Sequence, residues 1–330
     1  MSKILGAALP NMPWQDKPAG CTDPVWRYSE NPVIGRNPLK NVARIFNSAV
    51  AVWKDGYVGA FRAETKNGIP YLYIGFSKDA LHWDFQSEKI MIQDAQGNDV
   101  TPSYAYDPRL IKIEDTYYFV WCTNFHGAAL GMAKTKDFKT FESLDNPFLP
   151  FNRNGVLFPR KINNKYYLLS RPSDSGHTPF GDIFLSESPD LYYWGRHKHV
   201  MSPTGDWWQS VKIGAGCAPI ETDEGWLIFY HGVTGTCSGF IYSMGAAILD
   251  INDPSIVKHR CKNFLLTPEK DYEERGFVPS VLFPCASLQD AQTVRIAIYY
   301  GAADTYTCLA FTTVDDTISY IKEYDINKGK

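Results

Sequence analysis

Asp107 lies in the stretch YAYDPRL (Tyr104 to Leu110), between an aromatic ring and Arg109, at the head of the apolar run IKIEDTYYFVW. Pro108 fixes its own φ and biases the preceding residue toward extended backbone, so Asp107 is expected at a strand entrance and outside the ladder. A carboxyl in that position can serve as a general acid or base. It can equally be one half of a structural ion pair with Arg109. Two further groups of residues bear on the choice. Arg153, Arg171, Lys212 and His231 are the types that hold an anion, planar guanidinium with point-charge ammonium being the usual equipment for phosphate. Asn47, Ser48, Arg62, Glu64 and Tyr106 offer short hydrogen-bonding groups and a ring to stack on, as a carbohydrate subsite would. Asn124, His126, Asp174, His177, Tyr242 and Asp304 complete the candidate substrate-binding set, with His177, in the loop GHTPFGD, expected at an acceptor sugar.

The elements that must bring these residues together are legible as an internal repeat of roughly sixty residues, inside the range of propeller blades. Each copy has an apolar strand, a tight polar turn, an aromatic-rich second strand, a third strand ending in a Ser/Thr/Lys-Asp corner, and a short fourth strand. The copies begin at NSAVAVW, DPRLIKI, NGVLFPRKI, GAGCAPIET and VPSVLFP. Their turns are Lys54-Asp55-Gly56, Glu114-Asp115, Asn163-Asn164, Asp223-Glu224-Gly225, and one near Gln289-Asp290. Alternation at period two with hairpin residues at the turns predicts antiparallel, half-buried strands. The fold class is therefore all-β, a five-bladed β-propeller over residues 37–316, with an N-terminal arm (1–36) and a C-terminal extension (317–330) whose ISYIKEYDIN can form a short helix. A two-sheet sandwich accommodates this many strands poorly and leaves the period unexplained.

A propeller decides which residues meet. First strands line the central channel, so their starts and the ends of the second strands converge on one face. The starts supply Asn47, Ser48, Tyr106, Asp107, Arg153, Asn154 and Lys212; the ends supply Arg62, Glu64, Asn124, His126, Arg171, Asp174, His177, Tyr230, His231, Tyr300 and Asp304. The cations come from the third and fourth copies, the sugar-type residues mostly from the first two. Like charges converging in a cleft are costly unless an anion sits among them; the competing reading pairs each with a local acid such as Asp174, Glu221 or Asp304.

Bulk properties set the bounds. The 330 residues are 44% hydrophobic and 15% aromatic, enough for a large packed core. A net charge of −3 argues against nucleic acid or an anionic membrane as partner. Seven scattered cysteines without a C-x-x-C suggest neither a disulfide framework nor a zinc site and fit a reducing compartment. ILGAALP is too short for a signal peptide core and no run is long enough to span a bilayer, so a soluble, cytoplasmic protein is expected.

Several long motifs now carry a resemblance. IFNSAVAV, YDPRL, FNRNGVLFPRKI, LSRPSDSGHTPFGDIF, ESPDLYYWGRH, KIGAG and YHGV, in that order along almost the whole chain, resemble glycoside hydrolase family 130. Within it the chain is most similar to the mannoside phosphorylases acting on β-1,4-linked mannose. That resemblance implies a five-bladed propeller, reversible phosphorolysis to α-mannose 1-phosphate, inorganic phosphate as co-substrate with no metal or other cofactor, and a homo-oligomer. It matches Asp107 to the family's single catalytic acid and Arg153, Arg171 and Lys212 to its phosphate-binding residues. The proton passes either directly or through the mannose 3-hydroxyl, and the preferred acceptor sugar stays open.

The chemistry of the residues agrees. An inverting hydrolase needs an acid for the leaving oxygen and a second carboxylate to activate water. Phosphate already carries charge and needs no base, so one acid with a cationic pocket suffices. The first inner strand opens with Asn47-Ser48, and an amide cannot accept a proton. Two alternatives remain: a β-mannoside hydrolase recruiting Glu64 or another acid as base, and a non-catalytic carbohydrate-binding propeller using aromatics such as Trp207 and Trp208, which can equally be core or subunit contacts.

Overall fold

The computed structural model describes residues 2–173 and 181–328. A strand of the N-terminal arm, β1 (Val25–Arg27), precedes the repeats. The first repeat folds into β2 (Val42–Trp53), β3 (Gly56–Thr65), β4 (Pro70–Ser77) and β5 (Asp84–Lys89), paired in that order and antiparallel throughout. In the second, β7 (Ala105–Ile113), β8 (Thr116–Asn124), β9 (Ala128–Thr135) and β10 (Phe141–Leu144) do the same, with β6 (Ile92–Gln93) added in parallel at the outer edge. The third holds β11 (Asn152–Leu157), β12 (Tyr166–Pro172), β13 (Ile183–Ser188) and β14 (Gly195–Met201). The inner strand of the fourth is in two pieces, β15 (Lys212–Ala215) and β16 (Ile220–Thr222), both paired with β17 (Gly225–Thr236), followed by β18 (Gly239–Leu249) and β19 (Val257–Arg260). After a single helical turn, α1 (Asp271–Glu274), come β20 (Leu282–Asp290), β21 (Arg295–Ala302), β22 (Tyr306–Thr313) and the helix α2 (Val314–Glu323). The blades touch in a ring, β2 to β7, β7 to β11, β11 to β15, β17 to β20 and β20 back to β2, through inner strands except at the fourth blade, where the second strand β17 makes the contact with β20. This is a five-bladed β-propeller.

The arm proves to be part of the ring. β1 pairs antiparallel with β22, Val25 opposite Thr312, and so supplies the outermost strand of the fifth blade from the other end of the chain. Ahead of it, residues 2–9 cross the hairpin-turn side of the fourth and fifth blades. Lys3 N donates to Asp223 Oδ1 at 2.7 Å and Leu9 N to Asp290 Oδ1 at 3.0 Å. The fifth turn is therefore displaced from its expected place: β20 runs on through Asp290, and the loop is 291–294. Asp290 is a loop cap, accepting from Gln292 N at 2.9 Å and Thr293 Oγ1 at 2.7 Å.

Turn chemistry explains the other hairpins. Lys54, Glu114, Asn163 and Asn164 all have positive φ (53°, 57°, 48° and 63°), which two-residue hairpin loops demand. The third-strand corners repeat one device. Asp79, Asp137 and Asp190 each accept two backbone N–H bonds from the residues two and three positions on, while Ser77, Thr135 and Ser188 accept one from the intervening Ala80, Phe138 and Leu191. Those three residues, at φ 63°, 56° and 74°, point inward and are buried. Phe138 packs edge-on against Trp53 and Tyr117, both at 4.8 Å between ring centres, and so joins the first two blades. The C-terminal helix begins earlier than its sequence pattern suggests, because Thr313 caps it by accepting from Asp316 N at 3.0 Å; it buries Val314, Thr317, Ile318 and Ile321.

Candidate active site

The inner strands of the first three blades share one irregularity. Their register shifts between Phe46 and Ala49, Tyr106 and Arg109, and Arg153 and Val156, and at each shift one residue takes left-handed backbone: Asn47 (φ 50°), Asp107 (φ 50°) and Asn154 (φ 54°). Asp107 thus sits near the entrance of β7 and outside its ladder, as expected, but it is not extended as the proline after it suggested. A bulge of this kind carries one left-handed residue, Asn and Asp tolerate that conformation best after glycine, and the bulge prevails over the bias exerted by Pro108. Pro108 has no N–H to lose where the ladder is broken. The bulges turn side chains into the channel. Across from Asn47, Gly301 is required, since any side chain there would collide with the Asn47 amide.

A cavity of about 200 Å³ opens at this end of the channel. Asn47, Arg62, Tyr106, Asp107, Arg153, Asn154, Arg171, Lys212, His231, Tyr242 and Asp304 line it, together with Cys122, Val278, Val281 and Phe283. On one side, Asp107 Oδ1 accepts from Asn47 Nδ2 at 2.8 Å and from Arg62 NH1 at 2.7 Å. Among the described residues no donor reaches Oδ2, which leaves that oxygen for a ligand. Arg62 is held in turn by Glu64 (2.5 Å), and Glu64 by Arg44 (2.8 Å). Burial works against the Arg62 charge, yet Asp107, Asp304 and Glu64 together raise its pKa. Glu64 is 3% exposed and absent from the cavity wall, so it is placed as the support of Arg62 and not as a sugar ligand or base. Asp304, on the β21–β22 hairpin, sits in the field of the same acids. Its burial, offset by Arg62 and reinforced by Asp107 and Glu64, pushes its carboxyl up to about 6.

The other side is cationic. Arg153 donates to the Tyr106 hydroxyl at 3.0 Å. Arg171 donates from Nε to Ser173 Oγ at 3.1 Å and from NH1 to His231 Nε2 at 3.0 Å, in a space that only glycine at 214 leaves open. A guanidinium can only donate, so His231 Nε2 is the acceptor and the imidazole is neutral. Burial first, then the charges of Arg171, Arg109 and Lys212, hold its pKa well below the ordinary value. Burial, with Arg153 adding to it, lowers Arg171 as well. Lys212 Nζ lies over the rings of Phe240 (4.9 Å) and Tyr242 (5.6 Å). Burial, then Arg171 and Arg153, push it down to about 8. Among the described residues none of Arg153, Arg171 and Lys212 has a carboxylate partner. Glu221 is taken by Arg160 at 2.5 Å, and Asp304 belongs with Arg62.

Not every candidate converges. Ser48 is buried, its hydroxyl bonded to Thr307 Oγ1 at 3.1 Å between the first and fifth blades. Asn124 caps an exposed turn, accepting from Gly127 N at 3.1 Å, and His126 lies against Phe125 in the same turn. Tyr230 and Tyr300 are core residues that anchor Gln209 and Glu273. Arg109 forms no ion pair with the Asp107 carboxylate; it bonds the carbonyl oxygens of Asp107 and Pro108. Trp208 is core and Trp207 is exposed. Asp174 and His177 lie outside the described residues. Sequence reasoning missed Phe283, Val278 and Val281, apolar residues that nothing but the fold distinguishes from core.

Comparison with known proteins agrees in fold and family. The model of glycoside hydrolase family 130, described as beta-1,4-mannooligosaccharide phosphorylase, matches residues 8–323. A beta-1,4-mannooligosaccharide phosphorylase of Ruminococcus albus is 54% identical over 329 residues, covering 97% of this chain and 98% of that protein. A 4-O-beta-D-mannosyl-D-glucose phosphorylase of Bacteroides fragilis is 26% identical, covering 92% and 82%. Among solved structures, the Listeria innocua beta-1,2-mannobiose phosphorylase in complex with beta-1,2-mannobiose superposes with a TM-score of 0.79 at 29% identity, over 91% of this chain and 99% of that one. With the family model matched over residues 8–323 and a relative 54% identical over nearly the whole of both chains, this chain belongs to glycoside hydrolase family 130.

Proposed function

We propose that this enzyme is an inverting mannoside phosphorylase in which Asp107 is the acid and Arg153, Arg171 and Lys212 hold the attacking phosphate. It cleaves a non-reducing terminal β-1,4-linked mannose from a mannooligosaccharide or from N-acetylglucosamine. The observation that carries the reading is the division of one small cavity into an acid side from the first, second and fifth blades and a cationic side from the third and fourth whose Arg153, Arg171 and Lys212 have no carboxylate partner among the described residues. With Oδ1 pinned by Asn47 and Arg62, Asp107 presents Oδ2. Its proton goes to the glycosidic oxygen as the bond from C1 to that oxygen breaks. A phosphate oxygen forms the new bond at C1 from the opposite face, giving α-mannose 1-phosphate. Asp304 shares the Arg62 side, so it is not beyond the cations where a base for water would have to sit; hydrogen bonding to mannose hydroxyls is its expected use, along with Asn47, Arg62, Tyr106 and Tyr242.

Inorganic phosphate is the co-substrate, and no cofactor enters the scheme. A reaction that uses phosphate and yields a charged sugar suits the cytoplasm, as do the seven free cysteines. Exposed Leu149, Tyr193 and Trp207 are available to a homo-oligomer contact. The test is incubation with β-1,4-mannobiose and with mannosyl-β-1,4-N-acetylglucosamine, with and without phosphate, followed by NMR. Mannose 1-phosphate of α configuration, formed only with phosphate, is expected; free mannose released at the same rate without phosphate refutes the proposal and favours the hydrolase.

A further inference from the structure

Arg109 is the residue of YDPRL that this scheme leaves unused, and it is 4% exposed. Among the described residues no carboxylate balances its charge. Its Nε donates to Gly216 O at 2.5 Å, and its NH1 to Pro108 O at 3.0 Å and Asp107 O at 3.3 Å. The guanidinium carbon lies 5.4 Å from the centre of the Phe283 ring. One side chain thus crosses the channel from the second blade to the fourth and touches the fifth.

The acceptors are not arbitrary. Asp107 and Pro108 lie where the register of β7 on β8 breaks, so their carbonyls lack regular ladder partners, and a buried carbonyl without a donor is costly. Gly216 stands where the inner strand of the fourth blade is interrupted, one residue past β15, which opens with Lys212. A planar fork with donors in fixed directions reaches three such oxygens at once; an ammonium on a flexible stem does not hold them in one geometry.

We infer that Arg109 is a positioning residue for the reaction: by bonding the carbonyls of Asp107 and Pro108 it fixes the left-handed bulge that aims the Asp107 carboxyl, and through Gly216 it sets that bulge against the strand carrying Lys212. This rests on Asp107 being the acid. Arg109 touches neither sugar nor phosphate and acts through the backbone of its neighbours.

The test separates aim from mere stability by the demand for a proton. β-1,4-Mannobiose has a poor leaving group; 4-nitrophenyl β-mannoside leaves as a stable phenolate with little need of an acid. Phosphorolysis of both is measured for the native enzyme and the Asp107→Asn, Arg109→Lys and Arg109→Gln variants, with thermal melting of each. Asp107→Asn calibrates the split, losing about a hundredfold or more on mannobiose and little on the aryl mannoside. Arg109→Lys, which keeps a buried cation, is expected to lose roughly ten- to a hundredfold in kcat on mannobiose, as a misaimed group does. Its aryl mannoside rate and its KM for phosphate should stay within about threefold of native. Arg109→Gln, which keeps a donor at similar reach, should show the same split. If Asp107→Asn shows the split and the Arg109 variants lose both substrates in parallel, lose neither, or fail to fold, Arg109 is a core strut and the inference is overturned. If Asp107→Asn itself shows no split, it is the assignment of the acid that has failed.

Discussion

Lys212→Met should make the protein more stable and the enzyme worse, and the structure fixes both signs. Lys212 is half-buried beside Arg153 and Arg171, and its pKa falls from 10.5 to about 8. At about 1.36 kcal/mol per pH unit, holding the ammonium charged at pH 7 costs the folded state ~3 kcal/mol, which we halve to about 1.5 kcal/mol because solvent still reaches the side chain. The unfolded chain binds the proton more readily, so this cost is present in full below pH 8, fades as the pH rises toward 10.5 and is gone above it. Met fills the same volume over Phe240 and Tyr242 without the charge. In the absence of phosphate at pH 7 the variant is expected to melt roughly 2–4 °C above the native protein, and the gap should close by pH 10.5. Adding phosphate reverses the order. At a hundred times its Kd, phosphate stabilises the native protein by about 2.7 kcal/mol, whereas the variant, lacking one of three cations, gains little. Melting curves with and without phosphate at the two pH values decide the matter. A variant that melts below the native protein without phosphate at pH 7 would mean that the protein's own groups already compensate Lys212, and the anion site would lose its electrostatic basis.

Three other outcomes follow from the same geometry. Asp107→Asn keeps the shape of a side chain held by Asn47 and Arg62 but removes its proton, so kcat on β-1,4-mannobiose should fall by about two to four orders of magnitude with little change in KM; near-native turnover would remove Asp107 from its role. Arg171→Ala should cost about 2–5 kcal/mol toward phosphate, roughly thirtyfold or more in kcat/KM, while mannoside binding by calorimetry changes far less and hydrolysis does not replace phosphorolysis, because the amide of Asn47 cannot activate water. Phosphate dependence that survives the substitution would make the cluster structural. Chelators should leave the rate unchanged, since the acids of the cavity alternate with Arg62, Arg153, Arg171 and Lys212, whose charges repel a divalent cation; loss of activity in EDTA restored by a divalent ion would contradict this.

What could be read from the sequence, and what could not, divides along the range of the interactions. Hairpins, corners and strand alternation are set by residues a few positions apart, so the repeat and the blade count were legible, and with them the convergence of Asn47, Asp107, Arg153, Arg171 and Lys212. The closing strand was not, because β1 looks like any short apolar run until Thr312, far along the chain, offers it an edge. The error at Asp107 has the same root. Pro108 imposes a local preference worth little against a bulge that recurs in three blades and is stabilised from across the channel by Arg109 and Gly216, residues 107 positions apart. Glu64 was misassigned because a strand-end carboxylate reads alike whether it faces a ligand or a second arginine; only the placement of Arg44 beside it turns the acid from a candidate base into the support of Arg62. The hydrolase alternative loses Glu64 as its base by that one contact, for a buried carboxylate clamped between two guanidinium groups and absent from the cavity wall is held away from any water at the sugar.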